Sequence, residues 1–399
     1  MNTEGIRQTH IQILQQLEAS FTRPIMQEIA WGERLLGIMG ARGAGKTTLL
    51  LQHIRDSYGL SDQALYATLD TLHFAPGDLV KLAEACWQQG VEVLFLDEVH
   101  KFDTWSQELK NIYDMFPRLR VVFTASSLLH ILQGNADLSR RAVIYHLEGL
   151  SFREFVQVQT GLSFPEATLP HLLANHQQMA MDIASQVKPL KLFLDYQRIG
   201  YYPYYLQGEA TYPQKLMATL IQTLEFDIPY LRGIEISYVN KLKQLLHILA
   251  QSVPYKPNVV KLAGALGISR QVVLHYLHHL QDAHMIRMLY PDGAFFSQLK
   301  KPEKVYLWHP NHIHLLGKPQ ADLGNLRETY FLSQVAPRHR VHSSQHGDFT
   351  VDEKYTFEVG GRSKNDNQLS GIENGWIAMD DIEVGYSNRV PLWLFGWLY

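Results

Sequence analysis

Residues 35–51 constrain the fold more than any other stretch of the chain. The apolar run Leu35-Leu36-Gly37-Ile38-Met39 passes into Gly40-Ala41-Arg42-Gly43-Ala44-Gly45-Lys46-Thr47-Thr48 and then into Leu49-Leu50-Leu51. Strand, glycine loop and helix follow in that order and match G-x-x-x-x-G-K-[ST] at every fixed position. Glycine lets backbone N–H groups turn inward around phosphate oxygens where a Cβ would clash. The helix N-terminus adds partial positive charge beneath them. The loop Gly40, Ala41, Arg42, Gly43, Ala44, Gly45, Lys46, Thr47, Thr48 is therefore expected to cradle a nucleotide. Lys46 would reach the outer phosphates, and the Thr47 hydroxyl would ligate Mg²⁺.

A second motif strengthens the first. Val91-Glu92-Val93-Leu94-Phe95-Leu96-Asp97-Glu98 is a continuous apolar run closed by two acids. Parallel strands covered on both faces read this way, and ligands gather at their carboxyl ends. Asp97 is expected to hold Mg²⁺ through water, and Glu98 to polarise the attacking water. Further strands are expected at 63–69, 119–124 and 142–147, with helices at 46–58, 77–89 and 104–116. That alternation predicts an α/β fold built on a parallel sheet. Thr124, Ser126 and Ser127 fall at a strand end. Ser126 there would either sense the γ-phosphate or cap a helix. No N-K-x-D guanine-reading motif occurs, which favours ATP over GTP. Asp97-Glu98-Val99-His100 superficially resembles a helicase box, but no second helicase core follows.

Composition sets outer bounds. With 399 residues, 46% hydrophobic and 19% charged, the chain suits two to four packed units. Its net charge of -3 does not advertise nucleic acid as a partner. The lone Cys86 excludes an intrachain disulfide and fits a cytoplasmic setting. Met1 to Ser20 lacks the apolar run of a signal peptide. The apolar tail Val390–Tyr399 is too short to span a bilayer, so it reads as core filling and no membrane partner is expected.

The order of these motifs resembles prokaryotic AAA-type P-loop ATPases that carry a DUF4143 C-terminal region. The resemblance rests on Met39 to Thr47, Leu96 to Lys101, Phe123 to Ser127, Ser139-Arg140-Arg141 and Leu150 to Phe155. Gly200-Tyr201-Tyr202-Pro203 and Pro391 to Gly396 extend it. It implies an ATPase domain with ATP and Mg²⁺ as cofactors. The family carries Gly-Arg where this chain has Arg140-Arg141. Arg141 is then the arginine that would act as a finger on a neighbouring subunit's γ-phosphate, in a homo-oligomer. A surface arginine is the alternative.

Four regions are expected: an ATPase domain at 1–149, a helical linker at 150–235, a winged-helix-like domain at 236–308, and a nuclease-like α/β domain at 309–399. In the third, a helix at 258–266, the turn Gly267-Ile268, a capping Ser269, a helix at 270–281 and a strand at 285–290 give helix, turn, helix and wing. From Tyr255 to Val305 seven Lys/Arg face three Asp/Glu, a balance of +4. Arg270, His275, His278 and His279 lie along the second helix, which would either enter a DNA groove or pack against protein. The histidines lack the acid or cysteine spacing of a zinc site. In the fourth region Glu328 on a helix, Asp348 and Glu358 follow the layout of a PD-(D/E)xK nuclease, but Gly360 stands where the lysine belongs. Arg362 or Lys364 would have to substitute. The expected function is an ATP-driven switch coupling nucleotide state to a protein partner held by the C-terminal domains. An ATP-gated nuclease and a DNA-binding regulator with little turnover are the alternatives.

Overall fold

The computed structural model describes residues 3–18, 21–70, 74–127, 138, 140–252, 254–291, 301–317, 322–364 and 369–399. The chain divides into two compact units, Met1–Glu148 and Gly149–Tyr399. One residue on which the family resemblance rested, Ser139, lies outside the described residues.

The first unit contains α1 (Thr3–Gln15), α2 (Ile25–Glu28), β1 (Leu35–Gly40), α3 (Lys46–Ser57), β2 (Ala64–Thr68), α4 (Asp78–Gln88), β3 (Val93–Asp97), α5 (Trp105–Met115), β4 (Arg120–Ser126) and β5 (Val143–Leu147). The strands form one sheet in the order β2-β3-β4-β1-β5, and every pairing is parallel. Alternate strand residues face opposite layers. Leu36, Ile38, Val93, Phe95 and Val122 pack with Leu49, Leu50 and Ile54 of α3. Met39, Leu94, Leu96, Val121 and Phe123 pack with Leu79, Leu82 and Cys86 of α4 and with Leu109 and Ile112 of α5. Each fully buried aliphatic side chain in these layers contributes about 1.5–3 kcal/mol. Gly37 keeps the centre of the sheet open. A Cβ there would come within 2.6 Å of Ile144 Cδ1 and of the Phe123 ring. Glu108 of α5 caps α4 across the layer, accepting from Gly77 N at 2.6 Å and Leu79 N at 2.9 Å. Burial pushes the Cys86 thiol up to about 12, so it sits in this layer as an apolar group.

The second unit begins with α6 (Phe152–Thr160), α7 (Leu169–Ala184), α8 (Pro189–Ile199), α9 (Tyr212–Gln222) and α10 (Ile228–Arg232). Ser151 and Glu154 form a complete capping box at the start of α6. It continues with α11 (Ile236–Ala250), α12 (Val259–Leu266), α13 (Arg270–Asp282), β6 (Ile286–Leu289), β7 (Lys304–Leu307), α14 (Pro310–Leu316) and α15 (Leu323–Val335). The last strands are β8 (Val341–Ser343), β9 (Phe349–Val351), β10 (Tyr355–Gly360), β11 (Gly375–Met379) and β12 (Arg389–Pro391).

Asn258 caps α12 and Ser269 caps α13, and Gly267 turns between them at φ 64. β6 and β7 pair antiparallel behind them. The five late strands form a mixed sheet in the order β12-β11-β10-β9-β8, on which Phe331 of α15 stacks with Phe349 at 5.2 Å. The tail is buried as expected: Leu392, Trp393, Leu394, Phe395 and Trp397 are all at most 1% exposed. The Gly200-Tyr201-Tyr202-Pro203 turn is held by Asn311. Its Oδ1 accepts from Tyr201 N at 3.1 Å and from the Tyr212 hydroxyl at 2.7 Å. Its Nδ2 donates to Tyr196 O at 3.0 Å and to Gln197 O at 2.7 Å.

Candidate functional site

β1 ends at Gly40, and the loop Ala41–Gly45 carries the chain into α3. Gly45 stands at φ 95 and Gly43 at φ 84, conformations that a Cβ disfavours. Gly40 lies so close to the Leu147 carbonyl that a Cβ would overlap it. The first turn of α3 has no side-chain cap, so its N–H groups are left for a ligand. Lys46 is 5% exposed and donates to the loop's own carbonyls, Gly40 O at 3.1 Å and Ala41 O at 3.2 Å. This loop fits a polyphosphate: glycine-shaped, lined with donors and holding one buried ammonium.

β3 delivers the acids to the same place. Thr47 Oγ1 donates to Asp97 Oδ2 at 2.7 Å. Asp97 also accepts from the Tyr66 hydroxyl at 2.9 Å and from Thr124 Oγ1 in a short contact. Burial pushes the Asp97 carboxyl up, and the hydroxyls of Thr124, Thr47 and Tyr66 oppose that rise. A carboxylate and a threonine hydroxyl that already touch are a donor set suited to a hard, oxygen-seeking cation such as Mg²⁺.

Glu98 turns out of the strand in the left-handed region, at φ 58. Its N–H donates to Thr124 Oγ1 at 2.9 Å. Its carboxylate lies 3.8 Å from Lys46 Nζ and 3.3 Å from His100 Nε2. His100 is itself buried, and its Nδ1 accepts from Ser126 N at 3.3 Å. Ser126 sits beside Gly40 in register, so the strand end expected to sense phosphate does border the loop. Sequence reasoning assigned no role to Tyr66 or His100. Tyr66 lies in the middle of the neighbouring parallel strand, two residues before Thr68, which is in register with Asp97, so no strand-end signal marked it in the sequence.

Arg141 lies elsewhere. It precedes β5, which runs parallel to β1 with Val143 opposite Leu36 and Leu147 opposite Gly40. That places Arg141 beyond the far end of β5, whose span from Val143 to the level of Gly40 is about 13 Å at ~3.3 Å per strand residue. Its Nε lies 3.1 Å from Asp114 Oδ1. Arg141 is therefore not brought to its own chain's site.

In the second unit the three late acids do converge. Lys304 Nζ lies 3.9 Å from Glu328 Oε2 and 3.8 Å from Asp348 Oδ1, and the Tyr306 hydroxyl donates to Glu328 at 2.7 Å. Lys364 forms a close ion pair with Glu358, which is 1% exposed. The turn after β10 brings Lys364 back, its backbone N donating to Gly361 O at 3.0 Å. The lysine stem lies over Gly360, where a Cβ would meet Lys364 Cγ and Cδ at 2.8 Å. Glycine at position 360 thus makes room for a lysine supplied four residues later. Arg362 instead pairs with exposed Asp381 at 3.1 Å. Burial pushes Glu328 and Glu358 up. Among the described residues no group of three or more His, Cys, Asp or Glu could hold a metal ion. Of the α13 residues, Arg270 and His275 are exposed and His278 and His279 half-buried. Burial, with Arg232 adding to it, lowers His279 to about 4. No helix among the described residues is long and apolar enough to cross a membrane.

Residues 32–156 match the AAA domain family. Residues 190–313 match a domain of unknown function, DUF8612, and not the DUF4143 region that the motifs had resembled. No curated protein matches the chain. Among solved structures, AMPPCP-bound DnaA from Aquifex aeolicus is 14% identical, with 71% of this chain and 89% of that one covered and a TM-score of 0.25. A DNA replication initiation factor is 14% identical over 70% and 88%, at 0.23. C. elegans PCH-2 is 14% identical over 40% and 47%, also at 0.23. The five-stranded parallel sheet, its glycine loop and the AAA match together place the first unit in the P-loop NTPase fold of AAA type.

Proposed function

We propose that the chain is an ATP-binding, Mg²⁺-dependent ATPase acting as a switch. The hydrogen bond from Thr47 to Asp97 at 2.7 Å carries this reading, because it joins two motifs fifty residues apart at one point beneath the loop. Gly40 to Thr48 surround the phosphates with backbone N–H groups, and Lys46 leaves the loop carbonyls to meet the outer phosphates. Thr47 and Asp97 hold Mg²⁺, which neutralises charge on the phosphate oxygens. Glu98 accepts a proton from the attacking water, and Thr124 fixes the backbone from which Glu98 acts. Arg141 acts in trans as a finger within a homo-oligomer, and Ser126 reads the γ-phosphate side of the loop.

The second unit holds the partner whose grip depends on nucleotide state. Within it we read 150–235 as a helical linker, 236–308 as winged-helix-like and 309–399 as a degenerate nuclease-like domain, in a cytoplasmic protein. The pairing of Lys364 with Glu358 keeps an ATP-gated nuclease as a second reading, because it supplies the lysine that spacing alone lacked. Binding of DNA by α13 is the weaker course, since Arg270 is the only permanent cation along that helix.

The test is the ATP hydrolysis rate of wild type and Lys46→Ala, each alone and with DNA, RNA or cell lysate. Turnover that needs Mg²⁺, falls with Lys46→Ala and changes with one of these additions supports the switch. Full turnover in Lys46→Ala would refute the site.

A further inference from the structure

The contacts around His100 go beyond the two motifs. His100 is 4% exposed and occupies a tight 3₁₀ turn, Val99–Lys101, immediately after β3. Its Nδ1 accepts the Ser126 N–H, so in the neutral ring the proton sits on Nε2. Nε2 faces Glu98 Oε2 at 3.3 Å. The imidazole is thus a rigid bridge with one end on the backbone of β4 and the other on the Glu98 carboxylate. β4 grips Glu98 a second time through Thr124, which accepts the Glu98 N–H at 2.9 Å and donates to Asp97. Ser126 is paired in register with Gly40, the first residue of the phosphate loop. A displacement of this strand end on contact with phosphate would pass through a ring that cannot bend.

We propose that His100 is a positioning residue for ATP hydrolysis, coupling the end of β4 at Ser126 to the orientation of the Glu98 carboxylate. This rests on Glu98 being the base. A flexible or missing bridge leaves Glu98 free to settle on Lys46, 3.8 Å away, where it polarises no water. The loss is expected in turnover more than in binding, because the bridge runs from the Ser126 backbone to the Glu98 carboxylate, the group that acts on water. Misplacing a reacting group by about 1 Å costs on the order of 100-fold in rate.

The experiment compares His100→Ala, His100→Gln, Glu98→Gln and the double variant His100→Ala/Glu98→Gln in the full chain. ATP affinity is read with a fluorescent ATP analogue, and hydrolysis by single turnover with enzyme in excess. His100→Ala is expected to lower the hydrolysis rate by about 10–100-fold, with affinity within about threefold. His100→Gln, whose amide donates where Nε2–H did, should recover most of that loss even if the alanine variant folds poorly. In the Glu98→Gln background, removing His100 should change the rate by less than about twofold, because the two act through one step. Wild-type turnover in His100→Ala would overturn the proposal, as would equal rate losses from removing His100 with and without the Glu98 carboxylate. Wild-type turnover in Glu98→Gln would instead overturn the assignment of the base, and this proposal with it.

Discussion

Replacing Glu98 by glutamine separates binding from turnover at this site. The variant keeps the shape of the side chain and removes one charge. Its backbone stays anchored, because the bond from Glu98 N to Thr124 Oγ1 does not involve the side chain. A positioned general base contributes about 10²–10⁴-fold to rate, equal to about 2.7–5.4 kcal/mol at 1.36 kcal/mol per tenfold. Affinity should move the other way. Glu98 attracts Lys46 across 3.8 Å, which is worth about 1 kcal/mol in water and about 4 kcal/mol at an effective dielectric of 20. Glu98 is 22% exposed, so the lower part of that range applies. Without this attraction Lys46 is freer to meet phosphate, and one negative charge fewer faces the nucleotide. ATP affinity should therefore stay the same or tighten by up to about tenfold, while hydrolysis falls at least 100-fold. Equilibrium binding of a fluorescent ATP analogue and a phosphate-release assay read the two effects separately. Wild-type turnover would show that Glu98 is not the base. A tenfold or greater loss of affinity would show that its charge holds the loop together and does not act on water.

If Arg141 serves a neighbouring site, activity per subunit should rise with protein concentration. Mixing Lys46→Ala with Arg141→Ala subunits should restore part of the rate, and a flat rate from dilute monomer upward would exclude the trans role. Glu358→Ala should lower thermal stability by about 1–3 kcal/mol, since it leaves Lys364 without its buried partner while that lysine stays partly solvated. The wild-type protein should not cut DNA or RNA with Mg²⁺ or Mn²⁺, and metal-dependent cleavage abolished by Glu358→Ala would move the nuclease reading to first place. His53, stacked 3.6 Å from Trp31, is lowered to about 4 by burial and by Arg120. The unfolded chain therefore takes up its proton near pH 6.5 and the folded chain only near 4, so stability is lost as pH falls through that window. Melting curves of wild type and His53→Phe should diverge by about 1–2 kcal/mol between pH 7 and pH 4, after allowance for solvent screening. Parallel curves would show that His53 titrates alike in both states.

The sequence by itself determined the nucleotide-binding core because its signals are local. A glycine loop between an apolar strand and a helix needs only neighbouring residues to declare itself, and the continuous apolar run before Asp97 announces a strand buried on both faces. The motif assigned Lys46, Thr47, Asp97 and Glu98 their places before any partner was known. It could not show that Tyr66 and Thr124 also bind Asp97, or that His100 bridges Glu98 to Ser126. Those contacts join three strands whose order in the sheet, β2-β3-β4, is a property of packing. The same limit governed the C-terminal acids. Fixed spacing expected a lysine at position 360 and found glycine. The missing ammonium arrives from Lys364, because a turn folds the chain back and the glycine leaves room for the lysine stem. Arg141 shows the converse. Its sequence neighbourhood suggested catalysis, but the parallel course of β5 carries it to the end of the sheet away from the phosphate loop. Composition and spacing decide which chemistry a chain can hold, and strand order and the direction of each turn decide which side chains meet, because those depend on contacts between residues far apart in the chain.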